Sequence, residues 1–404
     1  MKKIYVLSFL CILVLISCCK LTDPDANKKG WTFMWYLDGD EVSMQQDFIN
    51  AFHNIIAAGV GSTDEVNIII QFDRYPHMDD FGGWEIAERF YYLPGMEPTP
   101  ENSIQDWGDG EGGREVNMAD PETLKSFLDW AYTNYPAEHY ALMLADHGFG
   151  WQGLIMDMTS EADFMTIRGM EDALISSGIH FDLLALNACT MQMIEVMYEL
   201  RHVPIDIIVG SENLGTTWAF TQILQTITND PTITAADLGK EICDFYYDIH
   251  PGDTTITLSS VQFDKVRALA DAVTDFSETI LDSVSFTVIQ TKAQVIVDAI
   301  EEAVLYKVNG THYANAGGIS IYWPPASFDK YPPEMFYYSY IDEIIDFPMD
   351  TSWRDFLYMY YNVMQYPGII PPEIFQVRDK LAYFDSTNVD LYDFCKGIVD
   401  YQEP

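Results

Sequence analysis

The chain has 404 residues, of which 62 are acidic and 21 basic, giving a formal net charge of −41, and 14% are aromatic. So negative a surface excludes nucleic acid and anionic lipid headgroups as partners, and the aromatic content excludes a disordered chain. The length suits one large domain or two, and the charge is most simply read as solubility outside the cytoplasm.

Lys2 and Lys3 precede an apolar run, Ile4 to Ile16, that is too short to span a bilayer. Residues 1–17 therefore read as a signal peptide. Leu15-Ile16-Ser17-Cys18 is similar to the bacterial lipoprotein signal, in which the Cys is acylated and becomes the mature N-terminus. That predicts an exported protein of the cell envelope, anchored to a membrane through lipid on Cys18 without spanning it. Residues 18–29 form a polar tether. Beyond Cys11, Cys18 and Cys19 only Cys189, Cys243 and Cys395 remain, too few for a disulfide framework. Cys243 reads as a small buried hydrophobe, and a Cys243–Cys395 bridge stays open.

From residue 30 onward strands alternate with helices, the pattern of an α/β fold. Trp31–Leu37 is a strand, Val42–Ala58 an amphipathic helix, Val66–Phe72 a second strand, and Trp84–Leu93 a hairpin arm or edge strand. Residues 98–114 form a solvated loop rich in Gly, Asp and Glu, of a kind able to hold Ca²⁺. Its GDGEGG run lacks a following Lys-Ser/Thr, so it is a poor phosphate loop. Asp120-Pro121-Glu122 starts a helix running to Tyr135. Tyr140–Ala145 is a third strand and breaks into Asp146-His147-Gly148.

The next unit is strand, turn, helix, strand: Phe181–Leu186, then Asn187-Ala188-Cys189-Thr190, then Met191–Arg201, then Ile205–Val209. Cys189 thus falls where a strand's carboxyl end meets a helix N-terminus, the ligand-binding edge of open α/β sheets. A helix dipole there favours thiolate. Helices are predicted over Thr216–Asp230, Ala235–Ile249, Phe263–Leu281, Thr287–Val304 and Ser352–Asn362, with strands over Thr254–Gln262 and Gly317–Trp323. Residues 366–404 read as an extension of unknown role.

His147 and Cys189 follow successive strands of this pattern. If those strands are parallel neighbours, the two side chains share one edge, and the His can deprotonate the thiol and protonate a leaving amine. The N–H groups of Gly148 and Cys189 would form an oxyanion hole. No zinc-ligand spacing and no G-x-S-x-G elbow occurs.

WTFMWYLDGD, the segment EVNMADPETLKSFLDWAYTNYPAEHYALMLADHGFGWQG, FDLLALNACTMQMIEVMYEL, VGSEN, GGISIYWPP and SWRDFLYMYY together resemble the clostripain-like cysteine peptidases, relatives of caspases, legumains and gingipains. The resemblance covers residues 30–365. It implies a caspase-like three-layer α/β/α sandwich with a mostly parallel central sheet. It further implies an endopeptidase with His147 as acid/base and Cys189 as nucleophile, acting on peptide or protein substrates without a cofactor for the chemistry. Calcium dependence and activation by internal cleavage are implied as well. The family's Asp-Ala-Cys, whose Asp binds a basic P1 side chain, is here Asn187-Ala188-Cys189, and the segment after Glu212 carries no acid. The pocket is then expected either to use Asn187 and Glu212 for a basic side chain, taking Arg over Lys, or to have turned to neutral residues with the help of Trp218 and Phe220. Arg168 is the one basic residue between His147 and Cys189, and it sits nearer a helix start than a processing loop. The competing expectation is a non-catalytic surface lipoprotein of the same fold that binds a peptide or protein partner.

Overall fold

The computed structural model describes residues 28–402 apart from 77, 283–284, 325–339, 341–343, 363–367, 383 and 385–386. The predicted signal peptide, Cys18 and most of the predicted tether lie outside the described residues. The described chain opens with β1 (Lys29–Gly39), α1 (Val42–Ala58), β2 (Val66–Arg74) and a short strand, β3 (Glu88–Tyr91). Helix α2 (Pro121–Asn134) leads into β4 (Ala137–Ala145), and a small hairpin of β5 (Leu154–Asp157) and β6 (Asp163–Met165) precedes α3 (Ile167–Ser177). Next come β7 (Phe181–Asn187), α4 (Ile194–Glu199), β8 (Ile205–Gly210), α5 (Phe220–Asn229), α6 (Ala235–Ile249) and β9 (Thr257–Gln262). Then follow α7 (Val266–Leu281), α8 (Phe286–Ala303), β10 (Val304–Asn309), β11 (Ser320–Tyr322), α9 (Phe347–Asp350) and α10 (Trp353–Tyr361). The last elements are α11 (Pro372–Arg378), β12 (Asn388–Asp390) and α12 (Leu391–Val399).

Eight strands form one sheet in the order β10-β9-β8-β7-β4-β1-β2-β3. The five from β8 to β2 are parallel, and β3, β9 and β10 pair antiparallel at the margins. Side-chain alternation along a strand sends successive residues to opposite faces, and β1 shows what that builds. Trp31, Phe33, Trp35 and Leu37 enter one core with residues of α1, α5 and α6. Met34 and Tyr36 enter the other, with α2, α3, α4, α7, α8, α10 and α12. The result is the expected three-layer α/β/α sandwich. Each large apolar side chain buried this way contributes about 1.5–3 kcal/mol.

Local signals fix where the helices begin. The Glu41 carboxylate accepts the Ser43 and Met44 N–H groups ahead of α1, and Gly59 closes that helix in the left-handed region, φ 66°. Asp120 caps α2 through the Glu122 N–H, with Pro121 in its first turn.

Four expectations are corrected. The helix predicted from Met191 starts only at Ile194, because Gln192 and Met193 are extended: the Gln192 N–H bonds Ser211 O, and the Gln192 carbonyl accepts from Ser320 N–H. The helix predicted from Thr216 starts at Phe220, leaving 215–219 irregular. The run Gly317–Trp323 contributes only β11, which leaves the large sheet to pair with β12. The possible bridge is absent: Cys243 and Cys395 are both free and buried, on opposite faces of the sheet. The tail beyond residue 366 is packed into the molecule, with Ile374, Val377, Val389, Leu391, Phe394 and Ile398 all in the core that α7 and α8 share.

Candidate active site

Strands β4 and β7 are parallel neighbours, with Ala145 opposite Asn187. The chain therefore leaves both strands at one level, and Asp146-His147-Gly148 runs against Ala188-Cys189. The approach is close: a Cβ on Gly148 would lie 2.2 Å from the Cys189 carbonyl oxygen and 2.7 Å from its nitrogen. Only glycine fits there. The Gly148–Leu154 pairing is held by Phe149 N–H to Gly153 O and Ile155 N–H to His147 O, bonds that leave the Gly148 N–H outside the ladder.

Cys189 is half-buried, and its Sγ accepts the Gly215 N–H at 3.2 Å. With α4 starting five residues later, that single N–H takes the place of the helix terminus expected from the sequence. Thr190 holds φ 57°, a rare value for a β-branched residue. Its N–H to Asn213 O (2.9 Å) and its hydroxyl to Cys189 O (2.8 Å) keep it there. His147 is half-buried as well. Glu41 lies near enough to respond to its charge. Burial works to raise the Glu41 carboxyl, but bonds from Ser43 and Met44 and the His147 charge hold it below the usual range.

His147, Asn187 and Cys189 line one cavity of about 140 Å³, with Gly215, Thr216, Thr217 and Phe220 opposite. From α1 come Met44, Asp47 and Phe48. Asp47 was not legible in the sequence as a site residue, since only its helical spacing from Met44 and Phe48 marks one face. Its carboxyl is exposed, and partial burial raises its pKa. Glu212 and Trp218 are not on this wall. Glu212 is 1% exposed and shares a buried carboxyl contact with Asp390, which with burial pushes its pKa well up. Trp218 is 3% exposed, faces Tyr246, and lines an adjoining cavity of about 300 Å³ that Asp47, Thr217 and Phe220 also border.

In the acidic loop expected to hold Ca²⁺, Asp106 accepts the Gly108 and Gly110 N–H groups and Asp109 pairs with Arg114 at 2.9 Å. The Asp106 and Asp109 carboxylates are thus occupied within the loop. A more deeply buried acidic group lies at the ends of β1, β2 and β4 and on β5: Asp38, Asp40, Asp73, Asp146 and Asp157, all at most 4% exposed. Arg168 is the second residue of α3 and pairs with Asp346 at 2.8 Å, so it is not in a loop. Among the described residues no helix is long and apolar enough to cross a membrane.

A model of the clostripain family matches residues 35–323. Clostripain of Hathewaya histolytica is 29% identical over 196 residues, which are 42% of this chain and 36% of that protein, so the match spans about a third of that relative's length. A secreted C11 cysteine protease from Bacteroides thetaiotaomicron, solved with an irreversible peptide inhibitor, superposes with a TM-score of 0.58 at 18% identity, covering 80% of this chain and 99% of that one. An inactive zymogen C11 protease from Parabacteroides distasonis gives 0.57 at 20% identity, covering 80% and 98%. At these identities the two structures speak for the shared caspase-like fold.

Proposed function

The chain belongs to the clostripain family, and on that premise we propose that it is an exported, membrane-anchored cysteine endopeptidase working through Cys189 and His147. The observation that carries the reading is the contact of Gly148 with the Cys189 backbone, which brings the two motifs to one cleft.

In the proposed mechanism His147 takes the Cys189 thiol proton, and the Gly215 N–H bonded to Sγ favours the thiolate. The sulfur attacks the scissile carbonyl carbon, and the oxyanion is received by the N–H groups of Gly148 and Cys189. Imidazolium protonates the leaving amine as the C–N bond breaks, leaving an acyl-enzyme. His147 then takes a proton from water, which attacks the thioester and restores the thiol. All of this draws on side chains and backbone, so no cofactor enters the chemistry. Calcium, implied by the resemblance, would act on the frame.

The P1 pocket is assigned to the cavity beside Cys189. Asn187 offers an amide oxygen and Asp47 a full charge, which together suit a cation. A guanidinium, with its planar fork of donors, is served better by this mixed set than a compact ammonium. Arg is therefore preferred over Lys. Export and acylation rest on Leu15-Ile16-Ser17-Cys18.

Labelling tests the proposal. A peptidyl chloromethyl ketone with Arg at P1 should modify Cys189 and neither Cys243 nor Cys395, whose thiols burial holds well above their ordinary pKa. Labelling that fails on native protein, together with no cleavage of P1-Arg peptides, would favour the non-catalytic peptide-binding reading. Mass spectrometry should find the mature chain beginning at acylated Cys18.

A further inference from the structure

His147 and Cys189 stand on the crest of the sheet, and the two sides of that crest are built differently. The cavity assigned to P1 opens toward the face covered by α1 and α5, where its lining residues Phe48 and Phe220 join one core. The chain after His147 turns to the other face, where Trp151, Leu154, Ile155 and Met165 join the second core. A peptide laid across the crest has its P1 side chain on the first side. Its leaving chain departs past His147, because the imidazolium gives its proton to the leaving nitrogen.

That second side carries an exposed aromatic pair. Phe149 lies two residues beyond His147 in the stretch that pairs with Leu154, so alternation along the chain turns it to the same side as the imidazole. Phe164 of β6 meets it edge to face, with ring centroids 5.8 Å apart. Met156, the cross-strand neighbour of Phe164 on β5, is half-exposed beside them. The two rings are 36% and 41% exposed. A lone exposed Phe needs no explanation, but two in contact beside a reactive site mark a surface that apolar material covers. The backbone holds the pair firmly. The Phe149 N–H bonds Gly153 O at 2.9 Å, and a Cβ on Gly153 would lie 2.2 Å from the Met165 carbonyl oxygen, so β6 comes in as close as glycine allows. A Cβ on Gly150 would lie 2.5 Å from Met193 Sδ and 3.5 Å from Thr190 O, which wedges the same loop against the turn that carries Cys189. A surface fixed in this way loses little ordering entropy when it is covered.

We propose that Phe149, Phe164 and Met156 form a subsite for the leaving-group side of the substrate, taking an apolar side chain from the first or second residue after the scissile bond. The inference rests on the peptidase reading and narrows its substrate class to peptides with Leu, Met or an aromatic residue just after the cleaved bond. The occupant follows from position: the pair continues the cleft on the side by which the leaving chain departs, so substrate covers it in each turnover. Exposed Glu161 and Asp163 lie on the same hairpin, next to Phe164. Their charge disfavours an acidic residue at those substrate positions.

The test uses the full chain and internally quenched peptides that are identical through Arg at P1 and carry Leu, Gly or Glu at P1′ or P2′. An Arg p-nitroanilide, which has no residue after the scissile bond, serves as the reference. In the parent, Leu at one of the two positions should raise kcat/KM about tenfold over Gly, with Glu the poorest. Phe149→Ser and Phe164→Ser should each largely erase the preference for Leu over Gly. That ratio cancels any general loss of activity or of folded protein. Val295→Ser, which removes an exposed apolar side chain from α8, should leave the preference intact. Equal rates with Leu and Gly in a parent that cleaves the nitroanilide would overturn this inference alone. A parent that cleaves neither peptide nor nitroanilide would overturn the peptidase reading, and the inference with it. A preference that survives both Ser variants would also overturn it. If those variants then sedimented as monomers where the parent is a dimer, the aromatic pair would belong to a contact between copies.

Discussion

Two halves of one sheet edge do different work. At β4 and β7 the chain turns away around an open cleft, and the groups there, His147 and Cys189, are half-buried. At β1 and β2 the same edge is roofed by the β5–β6 hairpin and its flanks, and aspartates occupy the strand ends. Parallel strands deliver reactive side chains to both halves. Solvent access decides which side chains stay reachable from outside and which are met by backbone donors inside the fold.

The sharpest break is expected in the open half. Cys189→Ala should abolish peptide cleavage while changing stability by no more than about 1 kcal/mol, as for a small half-exposed substitution. Normal turnover in that variant would end the peptidase reading. His147→Ala should lower kcat by several orders of magnitude, since a thiol without its base stays mostly protonated at neutral pH. Gly148→Ala should damage both activity and folding, because its Cβ would meet the Cys189 backbone at 2.2 Å. Parent-like melting of Gly148→Ala would show that the two loops are not packed so closely.

Specificity is the next largest effect. Asp47→Asn removes the exposed carboxylate that the described residues place on the cleft wall, and losing a charged contact costs about 1.5–3 kcal/mol, or roughly ten- to a hundredfold in kcat/KM on P1-Arg peptides. Cleavage at a neutral P1 should persist, which keeps a failed pocket distinct from a failed catalyst. Asn187→Asp should raise activity on P1-Lys more than on P1-Arg. An unchanged Lys-to-Arg ratio would place position 187 outside the pocket.

The parallel strands and their order along the chain were legible, since long apolar runs broken by turn residues survive any tertiary context. Helices α1 and α6 fell where their periodicity put them. That His147 and Cys189 meet at one cavity was legible because it needs only two strand ends. Short or half-exposed elements were not: β10 alternates at the sheet margin, and β5 and β6 are four and three residues long. An apolar run such as Ile319–Trp323 does not say which sheet it joins. Asp47 and the aspartate group escaped for a different reason. Their positions are gathered from separate elements, and no spacing along the chain records that.

The smallest expected effect separates burial from crowding, the two causes that act together at Asp38 and Asp73. Glu195 is fully buried under β11, but it stands apart from the aspartate group and accepts Tyr322 N–H (2.8 Å) and the Tyr340 hydroxyl (2.9 Å). Burial pushes its carboxyl up to about 7, while those two bonds pull the other way. An acid whose folded pKa is raised contributes its stability below the unfolded pKa, near 4.3. That contribution is lost as pH rises toward 7 and stays lost above it. The full span is about 3.5 kcal/mol at 1.36 kcal/mol per unit. Glu195→Gln keeps an acceptor for both tyrosine contacts and cannot ionise. Between pH 5 and pH 8 the parent should therefore lose roughly 1–3 kcal/mol more unfolding free energy than the variant, read from denaturant melts in EDTA, with kcat/KM unchanged. Parallel stability profiles would mean that Glu195 ionises at its ordinary pH inside the fold. Burial alone would then be a weak force on carboxyls here, and like-charge crowding would carry more of the upward push on Asp38 and Asp73.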